Sequence, residues 1–228
     1  MSVAGPGAAL PAWAALPAWA LALALVAASL PGLRAGPAQA AGRHRVLVAV
    51  VVAVMALRWF NTAALQGVVL HFLGATVATR MLGARAALFA MALASLAGLL
   101  LGAAWQAHWA LDFLLTGALP VVVTVAVGWA SARWVPANIF TYIMVEGFVA
   151  AALAMAASML ARFALASALA GPEGALGGPA TATLAATPLM MFGEAFLSGG
   201  LLAIVVVYRP AWCASFDDRT YLGPGRPL

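Results

Sequence analysis

His71 lies in VVLHFLGATVATRMLG, a stretch of glycine, alanine and branched apolar side chains that is otherwise suited to lipid. An ionisable ring at membrane depth costs several kcal/mol unless it faces a bundle interior with a partner, so it marks a functional site by default. Asn61 and Gln66 precede it, and Asp112 opens a later apolar stretch with Thr116 one turn on. Imidazole and carboxylate together suit a borderline divalent ion such as nickel, cobalt or zinc. The expected ligand set is His71 on the metal, with Asp112, Asn61 and Gln66 as helpers. The alternative is a histidine that only hydrogen-bonds between helices. Read as helix, Gly67, Gly74, Ala75 and Ala78 share the face of His71 and let neighbouring helices approach closely.

Two further carboxylates lie deeper in apolar sequence. Glu146 has Tyr142 at i−4 and Asn138 at i−8, a polar stripe on one helical face. Glu194 stands in MMFGEAFLSGG with Ser198 at i+4. Buried glutamates either relay protons or join an intramembrane polar network, and the spacing leaves both open. Met190 and Met191 are adjacent and point about 100° apart on a helix, so they read as packing rather than as a soft-metal pair. His44, His108 and Glu173 fall in loops. A single cysteine, Cys213, with no CxxC, excludes an internal disulfide and a structural zinc site. No nucleophile–base pair, phosphate loop or HExxH occurs, so the chain does not read as an enzyme.

The elements that position these residues follow from composition. Of 228 residues 66% are hydrophobic and 7% charged, against roughly 25% charged in a soluble domain. The expected fold is therefore an all-α polytopic membrane bundle, a single domain over 1–228. Spans of about 20 apolar residues are expected at 8–30, 46–66, 67–82, 84–104, 109–132, 137–161 and 183–208. A cytoplasmic tail over 209–228 follows, and the breaks carry Pro, Gly or Arg. No internal repeat is visible. Arginines at 34, 43 and 45 follow the first apolar run and none precedes it, which is the reverse of a cleavable signal. All eleven basic residues are arginine. With the N-terminus outside, the inner ends collect nine of them and the outer ends only Arg58 and Arg162, as the positive-inside rule requires. Trp105 and Trp109 then mark one interface, and Trp129 and Trp134 the other. The arginines form no basic helix, so nucleic acid is not an expected partner. The lipid bilayer is.

Four stretches resemble a known family. LHFLGAT (70–76), IFTYIMVEGF (139–148), MFGEAFLSG (191–199) and VVYRPAWCASFDDRTYL (206–222) are similar to a proteobacterial group related to CbiM and NikM. Those proteins are the substrate-binding membrane components of energy-coupling factor transporters for cobalt and nickel. The resemblance runs from about Trp59 to Leu222, and the first sixty residues match only in hydrophobicity. It implies a bacterial inner-membrane permease fold and a transported nickel or cobalt ion, with no permanently bound cofactor. It also implies a coupling transmembrane subunit and cytoplasmic ATPases as partners. In the family the metal is held by the chain's N-terminus, a second-position histidine and a histidine in a Ser-Gly-His-Leu-Leu-Gly-like stretch. His71 matches that last histidine, and Asn61 the asparagine about ten residues before it. This chain begins MSVAG and has no second-position histidine. The competing readings are a proton-linked carrier using Glu146 and Glu194, and a membrane scaffold that transports nothing.

Overall fold

The computed structural model describes residues 12–33, 37–59, 62–65, 68–100, 109–174 and 179–221. They form an all-α membrane helix bundle with one small hairpin. Helix α1 (Ala12–Ser29) ends in a 3-10 segment (Leu30–Leu33), and α2 (Pro37–Trp59) is the next described element. Strands β1 (Thr62–Leu65) and β2 (Val68–Leu70) pair antiparallel, with Leu65 opposite Val68. Residues 71–74 are irregular and lead into α3 (Ala75–Leu82), followed by α4 (Ala84–Leu100). Helix α5 (Trp109–Phe113) passes through a π-helical turn (Leu114–Ala118) into α6 (Leu119–Trp134). Similarly, α7 (Ile139–Thr141) passes through a π-helical stretch (Tyr142–Val149) into α8 (Ala150–Gly174). Helix α9 (Pro179–Tyr208) completes the bundle, and the tail carries a 3-10 turn and the short α10 (Asp218–Tyr221).

Composition is turned outward, as lipid demands. On α9, Leu189, Phe192 and Phe196 are exposed while Met190, Glu194 and Ser198 are buried. Apolar area there needs no burial, whereas polar groups do. Among the described residues four helices are long and apolar enough to cross a membrane: Trp13–Leu33, Trp109–Trp134, Ile139–Ala168 and Thr181–Tyr208.

The central element is α3, whose eight residues are all buried. Two glycines bracket it. Gly74 before it and Gly83 after it hold φ of 64° and 80°, values that only glycine adopts at little cost. A Cβ on Gly74 would also come within 3.1 Å of Leu57. So short a helix at the centre is feasible because irregular backbone is tolerated at membrane depth where protein surrounds it.

Here the structure differs from the reading of 46–66 and 67–82 as two helical spans. The first helix ends at Trp59 and a hairpin follows; the second expected span is strand, loop and an eight-residue helix. Apolar periodicity cannot see this, because short buried strands and buried helices have the same composition. The helical face proposed for His71, Gly74 and Ala75 is corrected with it. Trp109 is also corrected: it is buried, donates to the Ala92 carbonyl at 3.3 Å and stacks on Phe113, so it is packing and not an interface belt. Trp129 and Trp134 are exposed.

Candidate functional site

Among the described residues two buried ion pairs mark the two ends of the bundle, and each adjoins a π turn. At the end carrying His71, the Arg58 guanidinium reaches Asp112 at 2.8 Å. Its Nη1 also donates to Ser95 Oγ, and Nη2 donates to Thr116 Oγ1, both at 2.8 Å. Asp112 accepts from Ser95 Oγ at 2.8 Å and from Thr116 Oγ1 at 3.3 Å. The Asp112 carboxylate is thus committed to Arg58 and its hydroxyl neighbours. Thr116 binds the Asp112 carbonyl as well, at 2.8 Å, which ties it into the π turn. Such turns recur at functional sites because they re-aim side chains on an otherwise regular helix.

His71 is buried in the irregular stretch, with Nδ1 3.3 Å from the Phe72 carbonyl. The backbone on its C-terminal side is fixed by Glu194. That carboxylate accepts the Leu73 N–H at 2.8 Å and the Gly74 N–H at 2.9 Å, and Ser198 donates to it at 3.0 Å. Glu194 therefore sits at the N-terminus of α3, where orphan amides and the helix dipole favour an anion. Gly193 opens room for the Phe72 ring: a Cβ there would lie 2.8 Å from Cε1. The loop holding His71 is thus set by a carboxylate and a glycine on α9, more than a hundred residues away in sequence.

At the other end Arg80 pairs with Glu146 at 2.8 Å. Its Nε donates to the Glu146 carbonyl at 3.3 Å and Nη2 to the Thr124 carbonyl at 3.0 Å. Gly128 provides the space, since a Cβ there would meet the guanidinium at 2.6 Å. The tail closes this end. Ala214 and Ser215 N–H groups donate to the Met81 and Arg80 carbonyls, both at 3.2 Å, satisfying acceptors left open at the C-terminus of α3. Tyr142 hydroxyl meets Ser215 Oγ at 2.7 Å, and Tyr221 donates to Glu146 at 3.3 Å. Burial, and then the Glu146 charge beside it, pushes the Tyr221 hydroxyl up to about 12. Burial alone pushes the Cys213 thiol up to about 11.

The expected stripe of Asn138, Tyr142 and Glu146 therefore divides. Asn138 caps its helix by accepting the Thr141 N–H at 2.7 Å, Tyr142 faces the tail, and Glu146 faces Arg80. Asn61 and Gln66 lie outside the described residues. Sequence reasoning missed Arg58, Arg80 and Arg162, all of which are buried. The signal was present: Arg58 and Arg80 fall inside the expected spans, where a cation needs a partner. Among the described residues no group of three or more His, Cys, Asp or Glu side chains is placed to hold a metal.

Fold and site together define a polytopic membrane protein with a histidine-bearing loop buried between helices. The chain belongs to the CbiM family, described as the cobalt uptake substrate-specific transmembrane region, which it matches over residues 6–212. It is a multi-pass membrane component of a bacterial cobalt uptake system of the energy-coupling factor type, and not an enzyme. The family works together with other uptake subunits. No curated relative and no solved structure matches the chain.

Proposed function

We propose that cobalt, with nickel as the second ion of like donor preference, is taken at His71 from the outer face of the membrane. A coupling transmembrane subunit and cytoplasmic ATPases supply the energy. The observation that carries this reading is the fixed loop: an imidazole buried beside a backbone that Glu194 holds through two amide hydrogen bonds. A positioned ligand is what a substrate-specific component needs, because pre-organisation removes the ordering cost of binding. Asp112 contributes as the counter-charge of Arg58, and Asn61 and Gln66 flank the approach in sequence.

The same reading includes seven crossings with the N-terminus outside. The third crossing, over 67–82, is broken rather than helical. Three strand residues and four irregular ones precede the eight of α3, which add about 12 Å at 1.5 Å each. Burial of Arg58, Arg80 and Arg162 removes one arginine from the inner count and both from the outer, leaving eight against none. Cobalt accumulation in cells expressing the complete system tests the proposal. His71→Ala abolishes accumulation at unchanged membrane abundance; unimpaired accumulation would refute the role given to His71.

A further inference from the structure

Helix α3 is gripped at both ends by one continuous part of the chain, α9 and the tail that follows it. At its N-terminus the Glu194 carboxylate accepts the Leu73 and Gly74 N–H groups at 2.8 and 2.9 Å. At its C-terminus the Arg80 carbonyl accepts the Ser215 N–H at 3.2 Å and the Ser215 Oγ–H at 3.0 Å, and the Met81 carbonyl accepts the Ala214 N–H at 3.2 Å. These carbonyls belong to the last turn of α3, where the helix itself offers no donor. The tail reaches them because the 3-10 turn at Pro210–Trp212 folds it back, with the Trp212 and Cys213 N–H groups donating to the Arg209 and Pro210 carbonyls at 2.9 Å. Its seat is specific. Cys213 is 4% exposed, Ser215 Oγ also meets the Tyr142 hydroxyl at 2.7 Å, and the Phe216 ring packs edge-on against Tyr142.

Between the two grips α3 is a short, rigid rod. Eight residues at 1.5 Å each make about 12 Å, and all eight are buried. Its main-chain hydrogen bonds close within 74–83: the Ala78 N–H donates to the Gly74 carbonyl at 3.0 Å, and the Gly83 N–H to the Thr79 carbonyl at 2.9 Å. Beyond the rod the chain turns at once, at Gly74 and Gly83, both with positive φ, where glycine adjusts with the least steric resistance. A rod that bends only at its ends carries a displacement from one end to the other. Sideways, Thr76 meets Thr124 at 3.0 Å and Arg80 pairs with Glu146, side-chain contacts that position the rod without joining its two ends.

We propose that α3 is a strut that couples the seating of the tail to the shape of the His71 loop. With Ala214 and Ser215 docked the loop is held in its ion-binding form, and withdrawal of the tail relaxes it and lets the ion go. The inference rests on the reading of His71 as the cobalt ligand and adds how the ion is released. In that reading the tail lies on the cytoplasmic face, so a subunit that draws off residues 213–216 acts on the His71 loop without touching it. Coupling of this kind is reciprocal, so an ion at His71 also tightens the tail. The link runs through Ala214 and Ser215 and is separate from the Tyr221–Glu146 contact.

Cys213, the only cysteine of the chain, reports on the seating of the tail. In purified full-length protein its maleimide labelling is timed with and without saturating cobalt(II), and cobalt binding is followed by isothermal titration. Cobalt slows labelling by about five-fold or more, the lower end of ordinary coupling between sites, in the wild type and not in His71→Ala. Ser215→Ala keeps the backbone and loses two side-chain hydrogen bonds. Hydrogen exchange at Leu73 and Gly74 then quickens by about two-fold or more, the least that one hydrogen bond contributes, while Met81 inside the rod is unchanged. A labelling rate indifferent to cobalt, in protein that binds it, would overturn the proposal. So would slowing that persists in His71→Ala, where cobalt meets the thiol itself, and so would unchanged exchange at Leu73 and Gly74 in folded Ser215→Ala. Titration that finds no cobalt bound by the wild type, or binding intact in His71→Ala, would instead defeat the underlying reading, so the two failures are distinguishable.

Discussion

Arg58–Asp112 and Arg80–Glu146 have the same separation, 2.8 Å, and each adjoins a π turn, yet they are finished differently. All three nitrogens of Arg80 donate, two of them to main-chain carbonyls, and tail residues cap the carboxylate and the end of α3. Arg58 is saturated by hydroxyls and a carboxylate at its Nη atoms, while Nε has no hydrogen-bond partner among the described residues. A buried ion pair whose donors are all spent holds elements in register, whereas a buried donor left without a partner calls for another explanation. The Arg80 end reads as structure and the His71 end as function.

Breaking the closed pair has the largest expected effect. Arg80→Met leaves Glu146 buried without its partner and destabilises by about 3–5 kcal/mol, whereas Arg80→Met with Glu146→Leu recovers most of that loss. Unfolding midpoints in detergent for the singles and the double measure the coupling. Additive effects would deny that the pair acts as a unit.

Glu194→Gln sharpens the comparison from the other end. The amide offers one acceptor oxygen where the carboxylate offers two, so one loop N–H is left unmet at a cost of about 1–3 kcal/mol. Hydrogen exchange at Leu73 and Gly74 should accelerate, with Met81 unchanged. Equal protection in both forms would mean that Glu194 does not hold the loop.

Removing residues 214–228 takes away the amides that cap Arg80 and Met81 and the Tyr221 contact. The expected loss is about 1–2 kcal/mol, with membrane insertion intact. A truncation as stable as the full chain would leave the tail as an anchor only. The smallest effect concerns Cys213, whose thiol is buried and pushed up to about 11. The neutral thiol is the form that the fold favours. Its contribution is present below about 9 and is lost as pH rises toward about 11. Maleimide labelling at pH 8 is therefore slow in the full chain and faster once the tail is cut; equal rates would place the thiol in solvent.

Much of this was legible in the sequence, and the limits have physical causes. His71, Glu146 and Glu194 stood out because ionisable groups are rare in apolar runs. Glycine pattern and hydropathy located most helices. The hairpin and the eight-residue α3 were not legible, since a buried strand and a buried helix share one composition. Nor was the commitment of Asp112 to Arg58, fifty-four positions away, because arginines near span ends were read as orientation signals rather than as partners. The hold of Glu194 on the 71–74 backbone carries no sequence periodicity at all.

His71→Gln and Glu146→Gln, scored side by side for cobalt binding per folded molecule and for unfolding midpoint, test the division most directly. The account predicts that His71→Gln weakens binding by about ten-fold or more, or 1.4 kcal/mol, with little change in midpoint. Glu146→Gln should lower the midpoint and leave binding per folded molecule within about two-fold, under 0.5 kcal/mol. The opposite pattern, with binding lost through Glu146 and stability through His71, would contradict it.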